Sequence, residues 1–245
     1  MFQKKKIVLC LSLIIMICFT GTVQALSNSK IIKEMDHFIY TYYRNNEPID
    51  VINNKLENKY NRILNKYGMN INKKIKIVIF PNIEDFQKEY NLTNYSVGIV
   101  ATAVNNRTIG IVSPLNPGPV HSYESILKIA VHEFLHSATN MLNNNIPIWL
   151  NEGISLFEAK QINPIDIRQL IKSNQIPKIE ELESNFYNNF GYAVSGTIVE
   201  YIVSDYSYGR LVKLVKEPNN IQAIFGLNKK EFSSNWKSYL IKKYE

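Results

Sequence analysis

Residues 121–158 have the sequence HSYESILKIAVHEFLHSATNMLNNNIPIWLNEGISLFE, and the fold is organised around them. Within this stretch, residues 132–136 (HEFLH) form an H-E-x-x-H pattern. Residues i and i+4 share one face of a helix, so His132 and His136 can direct two imidazoles at one metal ion. Glu133 can lean toward a metal-bound water without ligating the metal, which is the arrangement that zinc-assisted hydrolysis needs.

The residues around this pattern predict two helices. From Ile126 to Leu142 the chain is mostly apolar, and the histidines and Glu133 interrupt it, which is typical of a largely buried helix. Buried imidazoles and carboxylates need partners, and a metal ion supplies them. Residues 143–145 (NNN) end the helix, and Pro147 suits the first turn of the next one.

A short turn between the two helices lets the second pack back beside the first. This packing would bring Glu152 close to the histidine pair. Two histidines and one glutamate leave a fourth coordination position open, as catalytic zinc sites do.

HEFLH followed by PIWLNEGISLFE resembles the gluzincin metallopeptidases, in the branch where H-E-x-x-H precedes a W-L-x-E-G helix. The resemblance implies an α+β, zincin-like fold with two lobes. A small mixed sheet lies in the first lobe, the C-terminal lobe is helical, and the active-site helix lies between them. It also implies His132, His136 and Glu152 as ligands of one Zn2+ per chain, and Glu133 as the general base.

Other positions are poorer candidates for the third ligand. Thr139 and Leu142 stand where the metzincin pattern H-E-x-x-H-x-x-G-x-x-H has its glycine and third histidine. His121 lies eleven residues before His132, near the predicted start of the helix, which is a poor position for a ligand. Glu152 therefore remains the predicted third ligand.

Two further roles follow from the resemblance alone. Residues 186–208 predict a helix that starts near Tyr192, where related enzymes often carry a tyrosine that hydrogen-bonds the oxygen of the tetrahedral intermediate. The alternative is a packing tyrosine, one of fifteen in the chain. Residues 107–114 would hold the place of the strand that edges the cleft and pairs with an extended substrate. The alternative is an ordinary strand of the sheet.

Residues 1–25 have the features of a signal peptide. Lys4–Lys6 precede an apolar run at 7–19, and residues 23–25 (VQA) offer small side chains for cleavage. The protein is therefore expected to be secreted, whereas an uncleaved leader would anchor it to the cell envelope. Cys10 and Cys18, the two cysteines of the chain, both lie in this segment, so the mature protein is expected to have no disulfide.

Residues 26–245 are predicted to form a single metallopeptidase domain, with N-terminal helices and the sheet in 26–120 and the active-site helix and helical lobe in 121–245. The predicted elements before residue 121 are helices at 27–44, 49–67 and 83–90, and strands at 74–80, 97–104 and 108–112. Phe232, Trp236, Tyr239 and Leu240 have the spacing of a closing helix that packs in the core.

Composition indicates an ordinary globular domain, with 45% hydrophobic and 20% charged residues. The net charge of +7 falls to +4 without the leader, which contains three lysines and no acidic residue. Such a charge permits association with an anionic cell surface. It does not indicate a nucleic-acid partner, because no basic stripe is interleaved with aromatic residues.

The predicted function is a secreted zinc-dependent metallopeptidase that cleaves a peptide or protein substrate and acts as a monomer. No G-x-M-E-N motif precedes the site, and aminopeptidases of the M1 kind use the glutamate of that motif to hold a free amine. The sequence therefore favours an endopeptidase. The alternative is a non-catalytic binding protein, secreted or surface-anchored, on the same scaffold, and the presence of Glu133 argues against it because binding alone does not need a base.

Overall fold

The computed structural model describes residues 29–92 and 97–245. The predicted leader, with Cys10 and Cys18, lies outside the described residues. In chain order the elements are β1 (Ile31–Glu34), β2 (Phe38–Tyr42), α1 (Ile49–Tyr67), β3 (Ile75–Phe80), α2 (Ile83–Glu89), β4 (Ala101–Asn105), β5 (Thr108–Val112), α3 (Tyr123–Leu142), α4 (Ile148–Glu158), α5 (Pro164–Lys172), α6 (Ile179–Ser184), α7 (Gly191–Asp205), α8 (Tyr208–Lys216), α9 (Ile221–Phe225) and α10 (Lys229–Tyr244).

The strands form one mixed sheet in the order β1-β2-β3-β5-β4. The pairs β2–β3 and β3–β5 are parallel, and the outer pairs β1–β2 and β4–β5 are antiparallel. Alternate residues of β3 are fully buried, which is why its isoleucines repeat with the period of a strand. Within the described residues, the mixed sheet, the ten α-helices and the placement of most of them after residue 121 confirm the predicted α+β fold.

The predicted helix over residues 27–44 is wrong. The described part of this segment forms the hairpin β1–β2, in which Met35 N–H donates to the carbonyl of Phe38 at 2.9 Å. In β2, Phe38 and Tyr40 are buried and the residue between them is not, so the period is two. The apolar positions that suggested a helical stripe belong to two short strands of four and five residues, except Met35, which lies in the turn between them.

The helix α3 connects the sheet to the helical lobe. It contacts β4 and β5 on one side and α4 on the other. Ser122 and Ser125 form a capping box at its start, and it ends at Leu142, immediately before the predicted break at residues 143–145. The predicted active-site helix is thus confirmed, and it lies between the two lobes.

The second predicted helix is α4, which packs against α7 as well as α3. A Cβ atom on Gly153 would lie 2.6 Å from the carbonyl oxygen of Ser195, so only glycine permits this approach of α4 to α7. The close packing fixes the position of Glu152, the neighbouring residue. None of the helices in the described part of the chain is both long and apolar enough to cross a membrane.

Candidate metal centre

The three predicted ligands lie together. Ligand atoms of His132, His136 and Glu152 are all within 4.8 Å of one another. Nε2 of His132 is 3.2 Å from Oε2 of Glu152, and Nε2 of His136 is 3.5 Å from its Oε1. All three side chains are largely buried. The structure therefore brings together the set that the sequence predicted, across the turn between α3 and α4.

The other ring nitrogen of each histidine has a polar partner. Nδ1 of His132 lies 2.7 Å from Oε1 of Gln161. Nδ1 of His136 lies 3.2 Å from both Oδ1 of Asn151 and Oγ of Ser155. An amide oxygen only accepts hydrogen bonds, so Nδ1 is the donor in each ring and Nε2 is the nitrogen that faces Glu152. A ring held through Nδ1 in this way can bind a metal through Nε2.

Asn151 is held in place by its own contacts. The hydroxyl of Thr139 donates to Oδ1 of Asn151 at 2.6 Å, and Nδ2 of Asn151 donates to Oδ1 of Asn140 at 3.2 Å. Its orientation beside His136 is therefore determined by two neighbours on α3. The sequence contained a signal for this residue, because Asn151 immediately precedes Glu152, but the motif by itself indicates no role for it.

Gln161 reaches His132 from the end of α4. Lys160 adopts a left-handed conformation (φ 57°), and the N–H of Gln161 donates to the carbonyl of Leu156 at 2.8 Å, which closes the helix. This turn directs the side chain of Gln161 back toward α3. Sequence reasoning missed this residue, since nothing in the local pattern marks a lysine as the left-handed residue of a helix end.

These residues fit a metal ion. Among the described residues, Oε2 of Glu152 is buried and faces Nε2 of His132 at 3.2 Å without the geometry of a hydrogen bond, as two ligand atoms of one metal ion would. Burial alone would raise the pKa of Glu152, but the neighbouring imidazoles of His132 and His136 lower it overall, so the carboxylate stays ionised. Two imidazole nitrogens and one carboxylate are a donor set that zinc accepts.

Glu133 lies beside this cluster in the same cleft. Burial raises the pKa of its carboxyl above the usual value, and the backbone N–H of Ala103 in β4 donates a hydrogen bond to it. The carboxylate is therefore oriented by the sheet rather than by the helix that carries it. A base of raised pKa next to a metal position is suited to move a proton.

The cleft has a volume of about 760 Å³. Residues 98–103, in and before β4, line one side, and Tyr187 and Tyr192 line it as well. Burial, followed by the negative charge of Glu152, raises the pKa of Tyr192 to about 12, so its hydroxyl is a hydrogen-bond donor at neutral pH. Tyr192 stands at the start of α7, as predicted, and lines the cleft.

The strand that edges the cleft is not the predicted one. Residues 108–112 form β5, which lies between β3 and β4 inside the sheet. The outermost strand is β4. It stands last in the sheet order, and the β4–β5 hairpin then brings the chain to the more central position beside β3. The wrong assignment came from taking the last strand before the active-site helix as the outermost one.

The remaining candidates lie elsewhere. Nε2 of His121 is 2.8 Å from the carbonyl oxygen of Gly98, so this histidine holds the loop before β4. Glu158 is buried on another side of α4, where Nη2 of Arg62 donates to its Oε2 at 2.6 Å. Neither belongs to the metal-binding group of described residues, and for His121 this agrees with the sequence analysis.

Comparison with known proteins agrees with this geometry. The family model described as Peptidase MA superfamily matches residues 57–242, a range that includes β3–β5 and all the elements of the site. A search of curated proteins found no match. The family match confirms the resemblance to metallopeptidases that HEFLH and the following W-L-x-E-G helix indicated. The chain therefore belongs to the Peptidase MA superfamily and is a metallopeptidase-like protein.

Proposed function

We propose that this protein is a secreted zinc-dependent endopeptidase. The observation that carries the proposal is the convergence of His132, His136 and Glu152 on one point, with Glu133 beside them in an open cleft. A site that only bound a metal for structural reasons would not need a buried carboxyl group of raised pKa next to the ligands.

The residues of the chain divide the chemistry among them. When bound, zinc supplies a Lewis acid that polarises the scissile carbonyl and lowers the pKa of a water molecule. Glu133 takes the proton of the attacking water and then delivers it to the leaving amine. The hydroxyl of Tyr192 donates a hydrogen bond to the oxygen that gains charge in the tetrahedral intermediate. Gln161 and Asn151 keep the two imidazoles in orientation.

The edge of β4 supports a peptide as the substrate. Val112 N–H donates to the carbonyl of Val100. The backbone N–H and C=O groups of the even-numbered residues along this strand therefore point toward β5. The backbone groups of Ala101 and Ala103 consequently point away from the sheet, where Ala103 already donates to Glu133. The backbone N–H and C=O of Ala101 could then form hydrogen bonds with an extended substrate, which would join the sheet as a further strand. The irregularity between Ala103 and Asn105 ends this pairing surface.

The location and partners in this proposal rest on the sequence. The leader-like residues 1–25 support secretion, and the charge of +4 that remains without them supports loose association with an anionic cell surface. The lack of a G-x-M-E-N motif supports cleavage within chains. We propose a monomer that acts on a peptide or protein, with no nucleic-acid partner.

The test uses purified protein from residue 26 onward. We expect about one zinc per chain, hydrolysis of members of a peptide library, and loss of hydrolysis when a chelator removes the metal. Glu133→Gln should keep the fold and the zinc but lose at least about 100-fold in turnover, because an amide cannot accept the proton. Wild-type turnover in Glu133→Gln would exclude the general-base role, and zinc-loaded protein that cleaves nothing would favour the binding-protein alternative.

A further inference from the structure

We infer that Tyr187 and Tyr192 form the wall of a substrate subsite that takes an aromatic side chain. The inference rests on the proposed function, because it assigns a preference to the same cleft. It adds a residue, Tyr187, to which neither the sequence motif nor the family match gives a role.

The two rings are exposed in a way that a structural role does not explain. Tyr187 is 68% exposed and Tyr192 is 53% exposed, and both line the cleft that contains Glu133. Their centroids are 6.1 Å apart, and their planes are inclined by 50°. Neighbouring exposed rings that continue a cleft are a common mark of a binding surface.

The pair rests on a buried base. The ring of Phe186, which is 4% exposed, contacts Tyr187 at 5.5 Å and Tyr192 at 5.0 Å between centroids, both edge to face. A Cβ atom on Gly191 would lie 2.4 Å from the ring of Phe186, so the glycine makes room for this ring beneath the start of α7. The N–H of Gly191 also donates to the carbonyl of Phe186 at 3.0 Å.

The turn that presents the rings is fixed by further hydrogen bonds. Nδ2 of Asn189 donates to the carbonyls of Glu181 and Asn185, both at 2.8 Å. Phe190 adopts a left-handed conformation (φ 57°), which is costly for a residue with a side chain and persists only where the surroundings enforce it. A ligand that stacks on Tyr187 and Tyr192 therefore meets rings that are already in place and loses little entropy in ordering them.

The other side of the cleft favours this assignment. Residues 98–103 line the β4 side, and three of them, Gly98, Ala101 and Ala103, have small side chains or none. In the proposed arrangement the substrate backbone lies along that side and one of its side chains extends to the two tyrosines. Aromatic rings prefer partners at 4.5–7 Å in tilted or edge-to-face arrangements, which is the arrangement the existing pair already shows. A third ring from the substrate extends this arrangement.

The test compares cleavage of a peptide library by the wild type and by Tyr187→Ala. We expect the wild type to prefer Phe, Tyr or Trp at one fixed position from the scissile bond. Tyr187→Ala should reduce that preference about 3- to 10-fold through KM, which corresponds to one lost aromatic pair. Tyr187→Phe should restore the preference, because it keeps the ring. Ile165→Ala is the matched control, since Ile165 is 67% exposed but lies on α5, outside the cleft lining.

A binding measurement separates this inference from the proposed function. The zinc-loaded Glu133→Gln protein is titrated with peptides that differ only by Phe or Ala at the preferred position, with and without Tyr187→Ala. If the wild type cleaves peptides without an aromatic preference, or Tyr187→Ala leaves the preference intact, the subsite is overturned and the function stands. If nothing is cleaved but Phe peptides bind more tightly through Tyr187, the function fails and the subsite stands. If peptide affinity changes neither between Phe and Ala in the peptide nor with Tyr187→Ala in the protein, the subsite is overturned.

Discussion

Nδ1 of His132 lies 2.7 Å from Oε1 of Gln161, a residue just beyond the end of the helix that carries Glu152. Gln161→Leu removes the acceptor and leaves the N–H of a largely buried imidazole without a partner. We expect zinc affinity to fall about 10- to 100-fold while the fold is retained, because partners of ligating histidines contribute that much to metal binding. Competition with a chelator at fixed pH measures the change.

The chain offers a matched control for this variant. At the end of α5, Asn174 is also left-handed (φ 55°), and the N–H of Gln175 donates to the carbonyl of Leu170 at 2.9 Å, so the backbone repeats the end of α4. Gln175→Leu changes the same residue type in the same turn, away from the metal cluster. Equal losses of zinc affinity in the two variants would show that helix-end stability, not the hydrogen bond to His132, is responsible.

The two glutamates of α4 should separate metal binding from stability. Glu152→Gln should weaken zinc binding about 10-fold or more, because a neutral amide is a poor zinc ligand. The side chain of Glu158 is 2% exposed and pairs with Arg62, so Glu158→Gln should instead lower the free energy of unfolding. We expect the free energy of unfolding to fall by about 1–3 kcal/mol. This is less than the loss on breaking a fully buried ion pair, because the side chain of Arg62 is 42% exposed.

Zinc titration and urea denaturation of both variants measure the two effects. Glu158→Gln should leave zinc affinity nearly unchanged. The reverse order of the two variants in zinc affinity would remove Glu152 from the ligand set.

Glu47 provides a pH dependence that is independent of the metal. It is buried just before α1, its Oε2 accepts from the hydroxyl of Ser113 at 2.6 Å, and burial raises its pKa. The folded protein thus holds this proton more tightly than the unfolded chain does. The free energy of unfolding therefore falls as pH rises from about 4.3, the usual value for glutamate, through the raised value of the folded state.

Glu47→Gln lacks this titration. Its free energy of unfolding should rise relative to that of the wild type across the same window and stay level above it. Urea denaturation at a series of pH values between about 4 and 7 measures the difference, with Glu89→Gln as the control because Glu89 is exposed on α2. Parallel pH profiles of the wild type and Glu47→Gln would contradict the prediction.

The group of candidate metal ligands could be predicted because its sequence signals are local. The helical period alone places His132 and His136 on one face. The position of Glu152 follows from the short turn after α3 and from Pro147, which begins the next helix. The helix at 49–67 was equally plain, with a long apolar stripe and Gly68 at its left-handed end (φ 62°).

The hairpin β1–β2 could not be separated from a helix by its apolar spacing. Strands of four and five residues give too few positions to distinguish a period of two from one of 3.6. The aromatic and β-branched residues at 38–42 (FIYTY) favour a strand, and that composition was the better guide.

Gln161 illustrates what sequence patterns do not contain. It lies 29 residues from His132, and its contact depends on the left-handed Lys160 that turns the chain. Lysine has no preference for that conformation, so tertiary packing decides it. The outermost position of β4 is likewise a property of the sheet order, which single strands do not reveal.

The metal centre is divided between two helices in an uneven way. Both imidazoles come from α3, whereas the carboxylate and the groups that orient the imidazoles come from α4 and the turn after it: Asn151, Glu152, Ser155 and Gln161. A metal ion shared by His132, His136 and Glu152 would therefore act as a cross-link that fastens α4 to α3. Because such an ion binds the folded form, the concentration of free metal around the protein would also govern how often this helix pair opens and how readily a protease could cut the opened form.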